Sequence, residues 1–178
     1  MDTQHRKLKL EELNRLTKEE YKEVNKFPIV VVLDNIRSMN NVGSVFRSSD
    51  CFRVEKLILC GITATPPHRD IRKTAIGAEE SMDWEYHEST TAALQELKDS
   101  RYEIAAIEQT ENSIGLSQFK PKDKIALVFG NEVDGVSDEA IALCDSVIEI
   151  PQFGTKHSFN ISVSAGIVLW EVHQKMRT

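Results

Sequence analysis

An α/β fold, built on a mostly parallel sheet with helices on both faces, is what the sequence predicts, and three observations predict it. Short apolar, β-branched runs recur along the chain, helical segments separate them, and the stretches that follow them are rich in Gly, Asn, Ser and acid. A strand that is apolar throughout, rather than alternating, is buried on both faces, the condition of a strand in a helix-covered parallel sheet. At 178 residues the chain is long enough for one domain with a sizeable core and short for two.

Residues 1–26 form a helical N-terminal extension in this reading, with seven Lys and Arg against six Asp and Glu and only sparse apolar positions. One or two amphipathic helices are expected there, with a break near Leu16, because Thr17 and Glu20 have capping-box spacing. Residues 27–178 form the domain proper. Ile29 to Leu33 is the first strand, Asn41 to Cys51 a helix with Val42, Val45 and Phe46 on one face, and the run ending at Cys60 the second strand. A short strand at 84–87 and a helix from Thr90 to Lys98 follow. Further strands are expected at 103–108, 124–129 and 146–150, with a short helix near 138–144. The last helix is nearly all apolar and is entered from Ser158 and Asn160, both good N-cap residues. No repeat or low-complexity linker divides the chain.

Composition narrows the partners. The 40% hydrophobic and 28% charged content is that of an ordinary globular protein, no apolar run reaches bilayer length, and the first residues lack a signal-peptide core. The expected compartment is the cytosol, with no membrane. Three widely spaced cysteines suggest neither a disulfide framework nor a metal cluster. A net charge of -6 argues against bulk electrostatic binding of nucleic acid, yet His68, Arg69, Arg72 and Lys73 could form a local basic patch, or simply a solvated helix face.

Open parallel sheets bind ligands beyond the carboxyl ends of their strands. Three post-strand loops therefore carry the functional interest: Asp34 to Arg47, Gly130 to Ser137, and the stretch after Ile150. The dinucleotide, P-loop, nucleophile-elbow and zinc-hydrolase patterns are all absent. What remains is glycine backbone, Asn and Ser hydrogen-bonding groups, Arg47 and Glu132, an inventory able to hold a polar cofactor through main-chain groups and a phosphate through a guanidinium fork.

The N-x-G-x-x-x-R pattern at Asn41, Gly43 and Arg47, then LVFGNEVDGVS from Leu127, then IPQFGTKHSFNISVSAGI from Ile150, closely resembles the three motifs of the SpoU/TrmH family of RNA ribose 2'-O-methyltransferases, of the SPOUT class. The resemblance covers residues 28 to 175, with the motifs in the family's order and spacing. IEQTENS from Ile107, with LWE from Leu169, is similar to the branch that methylates a tRNA D-loop guanosine. The resemblance implies a C-terminal trefoil knot, S-adenosyl-L-methionine as methyl donor, an RNA substrate with tRNA preferred over rRNA, and a homodimer packed through the C-terminal helices. It also implies roles. Gly130, Ile150, Gln152, Ser158 and Phe159 would line the cofactor, and Arg47 would bind the phosphate and the 2'-oxygen. Asn41 and Asn160 would hold the arginine and the substrate loop, Ser158 belongs to the same catalytic set, and Glu132 is either catalytic or a loop brace. Arg69, Arg72 and Lys73 join Arg47 as RNA contacts. Phe159 departs from the family's usual leucine. No metal is implied. A non-catalytic RNA-binding module that keeps the knotted scaffold is the alternative.

Overall fold

The computed structural model describes residues 5–177. Seven strands form one sheet: β1 (Phe27–Asp34), β2 (Val54–Cys60), β3 (Asp83–His87), β4 (Glu103–Ile107), β5 (Ile114–Gly115), β6 (Ile125–Phe129) and β7 (Ser146–Glu149). They are ordered β3-β2-β1-β6-β4-β7-β5, and every strand pairing among the described residues is parallel.

The apolar runs explain the two layers around the sheet. In β1, Ile29, Val31 and Leu33 face one core while Val30 and Val32 face the other, and all five are fully buried. β6 divides in the same way, with Ile125, Leu127 and Phe129 opposite Ala126 and Val128. Each buried Val, Ile, Leu or Phe side chain contributes about 1.5–3 kcal/mol, so the two-sided strands hold the sheet's centre.

One face is covered by α2 (Met39–Cys51), α3 (Arg69–Ala75) and α7 (Ile161–Met176), through Val42, Val45, Phe46, Ile71 and the buried stripe Ile161, Ala165, Val168, Leu169 and Val172. The opposite face takes α5 (Thr90–Asp99), with Ala93, Leu94 and Leu97, and the short α6 (Asp138–Ile141), with Ala140. Gly43 sets the fit of α2 on α3, because a Cβ there would overlap the Ile71 carbonyl and the Thr74 hydroxyl. Lys175, near the end of α7, donates from Nζ to the carbonyls of Leu116 (2.8 Å), Ser117 (2.9 Å) and Phe119 (2.8 Å), tying that helix to the loop after β5.

The extension is less helical than its charge pattern predicts. A 3-10 turn at Leu10–Leu13 precedes α1 (Lys18–Glu23), whose capping box forms as expected: Thr17 Oγ1 accepts from the Glu20 amide at 3.2 Å and Glu20 Oε2 from the Thr17 amide at 2.8 Å. Residues 1–4 of that segment lie outside the described residues. Tyr21 is buried against the core, and Lys18 pairs with Glu80 beside α4 (Ala78–Ser81). The helix expected over 138–144 ends at Ile141, while α4 and β5, of four and two residues, went unread because neither is long enough to show a period.

Candidate active site

The loop after β6 is the tightest part of the site. Asn131 and Gly135 exchange backbone hydrogen bonds at 2.9 and 3.0 Å, and Asn131 Oδ1 accepts from the amides of Val133 (2.7 Å) and Asp134 (3.2 Å). Gly130 must lack a side chain, since a Cβ would overlap the Gly135 and Val136 backbone. Buried Asp34, at the end of β1, anchors the far side of this loop: its Oδ2 accepts from Ser137 N at 2.9 Å and Ser137 Oγ at 2.8 Å, and its Oδ1 from Thr90 Oγ1 at 2.5 Å. A buried carboxylate so filled with donors braces the loop, as the cost of burying an unpaired one would be severe.

From this braced loop Glu132 reaches the N-terminus of α2. Its Oε2 accepts from the Arg37 amide at 3.0 Å, and its Oε1 from the Ser38 amide at 3.1 Å and Asn41 Nδ2 at 3.0 Å. Burial pushes its pKa up, but the bonds from Asn41 and from the Arg37 and Ser38 amides outweigh that and hold it below the usual 4.5. The helix dipole acts in the same direction. Glu132 is thus an ionised acceptor in place, and a poor proton acceptor.

Asn41 passes the connection on. Its Oδ1 accepts from Asn160 Nδ2 at 3.2 Å, while Asn160 Oδ1 caps α7 by accepting from Ser162 N at 2.9 Å and Ser162 Oγ at 2.6 Å. Asn160, rather than Ser158, is the cap. The loops after β1, β6 and β7 are therefore joined by side chains of Asn41, Glu132 and Asn160, three residues far apart in sequence.

Beside this junction lies a cleft of about 520 Å³ at the carboxyl ends of β4, β6 and β7. Gly130, Ile150, Gln152, Ser158 and Phe159 all line it, as do Glu132 and Asn160, whereas Asn41 and Arg47 do not. Arg47 stands one turn beyond Gly43 on α2, exposed, with no side-chain hydrogen bond or ion pair to another described residue. The first loop thus flanks the cleft through the junction instead of forming its wall.

The cationic cluster is only partly available. Arg69 and Lys73 are exposed on α3, but Arg72 donates to Glu80 at 3.0 Å and lies 4.0 Å from Glu79, and His68 Nδ1 caps α3 by accepting from the Asp70 amide at 3.2 Å.

Two cleft residues escaped the sequence reading. Glu108 accepts from the Val136 amide at 3.2 Å, and Gln109 Nε2 donates to the His157 carbonyl at 2.8 Å, latching the loop after β7 to the end of β4. β4 was expected to run through Glu108 but stops at Ile107, so both residues stand at the strand's carboxyl end, where ligand contacts are sought. The wall carries four acids, Glu108, Glu132, Asp134 and Glu149, and no Lys or Arg. A polyphosphate would be repelled there and a cationic ligand favoured.

The sequence profile of the SpoU rRNA Methylase family matches residues 28–170. The chain is similar to the 23S rRNA (guanosine-2'-O-)-methyltransferase RlmB of Neisseria meningitidis serogroup B, at 32% identity over 148 residues, which is 83% of this chain and 59% of that protein. It is also similar to the crystal structure of A. aeolicus TrmH/SpoU tRNA modifying enzyme, with a TM-score of 0.79, 25% identity and coverage of 90% of this chain and 80% of that one. The SpoU methyltransferase AviRb from Streptomyces viridochromogenes, crystallised with AdoMet, shares the fold at a TM-score of 0.79 and 22% identity, over 87% of this chain and 60% of that one. The chain spans about three-fifths of the length of the curated relatives it matches.

Proposed function

The chain belongs to the SpoU rRNA methylase family, and from that membership we propose that it transfers a methyl group from S-adenosyl-L-methionine to a ribose 2'-oxygen of RNA, with tRNA preferred over rRNA. The observation that carries the reading is the three-loop junction, which fixes the start of the helix bearing Arg47 against the mouth of an acidic cleft.

The donor set fits this methyl donor. The cleft's volume is in the range of small-ligand sites, its wall offers backbone at Gly130, Ile150 and Phe159 with amide and hydroxyl groups at Gln152 and Ser158, and its acids suit a sulfonium cation. When bound, S-adenosyl-L-methionine supplies an electrophilic methyl group.

The chain's own work is orientation. Arg47 would bind the phosphate next to the target ribose and hold the 2'-oxygen for in-line attack. A guanidinium stays protonated, so the hydroxyl proton would pass to that phosphate and not to Arg47. Asn41, Asn160 and Glu132 would position α2, and Arg69, Arg72 and Lys73 would extend the RNA contact, with Arg72 having first to leave Glu80. A homodimer is supported by Val163 and Trp170, large apolar side chains that α7 leaves exposed. The proposal extends to a trefoil knot in the C-terminal segment, to residues 1–26 as an accessory extension packed on α4, and to a cytoplasmic location, which three unpaired cysteines support.

The test offers labelled methyl donor to bulk tRNA and rRNA and maps the modified ribose. Arg47→Ala is expected to lower methyl transfer by about two orders of magnitude or more, while donor affinity, read by calorimetry, stays unchanged. Equal loss of both would remove the role given to Arg47. A protein that binds no donor would be a bare RNA-binding scaffold.

A further inference from the structure

Phe153 is 97% exposed, more than any other large hydrophobic residue among those described. Its neighbours Gln152 and His157 line the cleft, so the ring stands at the mouth. The loop leaves β7 at Glu149, whose carbonyl accepts from the Leu116 amide at 2.9 Å, and beyond Phe153 it is held by the Gln109 bond to the His157 carbonyl and the Asn160 bond to Asn41. Gly154 has open space around it, and the loop tip stands clear of the body.

Charge points to the occupant. In a chain of net charge -6, the stretch from Ile150 to Trp170 has no Asp or Glu, and its cationic or titratable groups are the exposed Lys156 and His157. An acidic cleft thus adjoins exposed apolar side chains at Phe153, Phe159 and Val133 and a cation at Lys156. Stacking on one unpaired base needs a single ring and a nearby phosphate-binding cation, and Phe153, with Lys156 three residues on, supplies both.

We infer that Phe153 is a stacking platform for an unpaired nucleobase of the RNA substrate, with Lys156 on the adjacent phosphate. This rests on the function proposed above and adds to it a residue that selects a splayed, single-stranded target. Helical RNA would leave the ring without a partner.

The experiment measures binding of this chain to bulk tRNA and to bulk rRNA at one fixed ionic strength, alongside methyl-donor affinity and sedimentation. Phe153→Ala and Phe153→Leu are expected to weaken RNA binding about tenfold, the lower range of what one base–aromatic stack contributes. Phe153→Trp and Phe153→Tyr keep it, and donor affinity and sedimentation do not change. Wild-type RNA affinity in the leucine variant would overturn the inference, because size and apolarity would then suffice. A change of oligomeric state in the alanine or leucine variant would overturn it too, by assigning the ring to a second copy of the chain. If the wild-type protein binds donor and RNA and all four variants match it, the proposed function stands and only the role of Phe153 falls. If the wild type binds neither, both fall together.

Discussion

Glu132 stands largely in water yet accepts three hydrogen bonds, so its worth lies in geometry more than in burial. Glu132→Gln keeps the shape but removes the charge, and is expected to cost about 1 kcal/mol, the low end for charge-assisted bonds because solvent screens it. Its pKa is lower folded than unfolded, so the stabilisation is complete above the unfolded value and is lost as pH falls through the folded one. Denaturant titrations from neutral pH downward should therefore show a shallower acid loss in the variant. His173 gives a second pH signature. Its ring packs on Phe27 at 4.3 Å and Phe52 at 5.4 Å, its Nδ1 is buried without a partner, and burial, then the charges of Arg177 and Arg53, push its pKa below 6.5. The folded state favours the neutral ring, so this contribution is full above 6.5 and is lost as pH falls toward the folded value; His173→Leu should flatten that slope. At this scale the sequence, through its resemblance to a family's three motifs, pointed to Asn41, Glu132 and Asn160, whose side chains meet in one junction. It did not reveal Glu108 and Gln109, whose strand ended one residue early, nor the capping bond of His68, since a histidine at a helix start reads equally as a cation.

The helix α2 carries Arg47, the residue proposed to bind the substrate phosphate, and its seating depends on Gly43. Gly43→Ala would force α2 off α3 and is expected to destabilise the fold by about 1–3 kcal/mol in chemical denaturation. Methyl transfer should fall as well, because Arg47 follows one turn later on the displaced helix. The strands were legible where burial was two-sided: β1, β2 and β6 lie within about two residues of their expected bounds, since runs such as Ile29 to Leu33 cannot be solvated on either face, and α5 was legible through its one-sided apolar period. α3 was only half legible. Four of its seven residues are charged, and the face that packs on α2 rests on Ile71, Ala75 and the close approach of a glycine from elsewhere in the chain.

Sheet order is a property of the whole molecule, and no local pattern encodes it, because pairing β6 between β1 and β4 brings together partners such as Glu103 with Ile125 and, much further apart in the chain, Ile29 with Ile125. Assembly is likewise global. Val163→Asp would place a charge on the exposed apolar face of α7 and is expected to convert the proposed dimer into a monomer in sedimentation while the monomer keeps its helical signal, since that side chain lies outside the buried core. The strand order also bears on biosynthesis. A nascent chain that has emerged only as far as Lys124 holds β1 and β4 without the strand that separates them, so Val30 to Val32 and Ile104 to Ala106 present two open apolar edges. The sheet can close only once β6 has left the ribosome, and until then those edges compete for one another and for chaperones, which makes the interval between the emergence of β4 and that of β6 the one in which this protein is most exposed to aggregation.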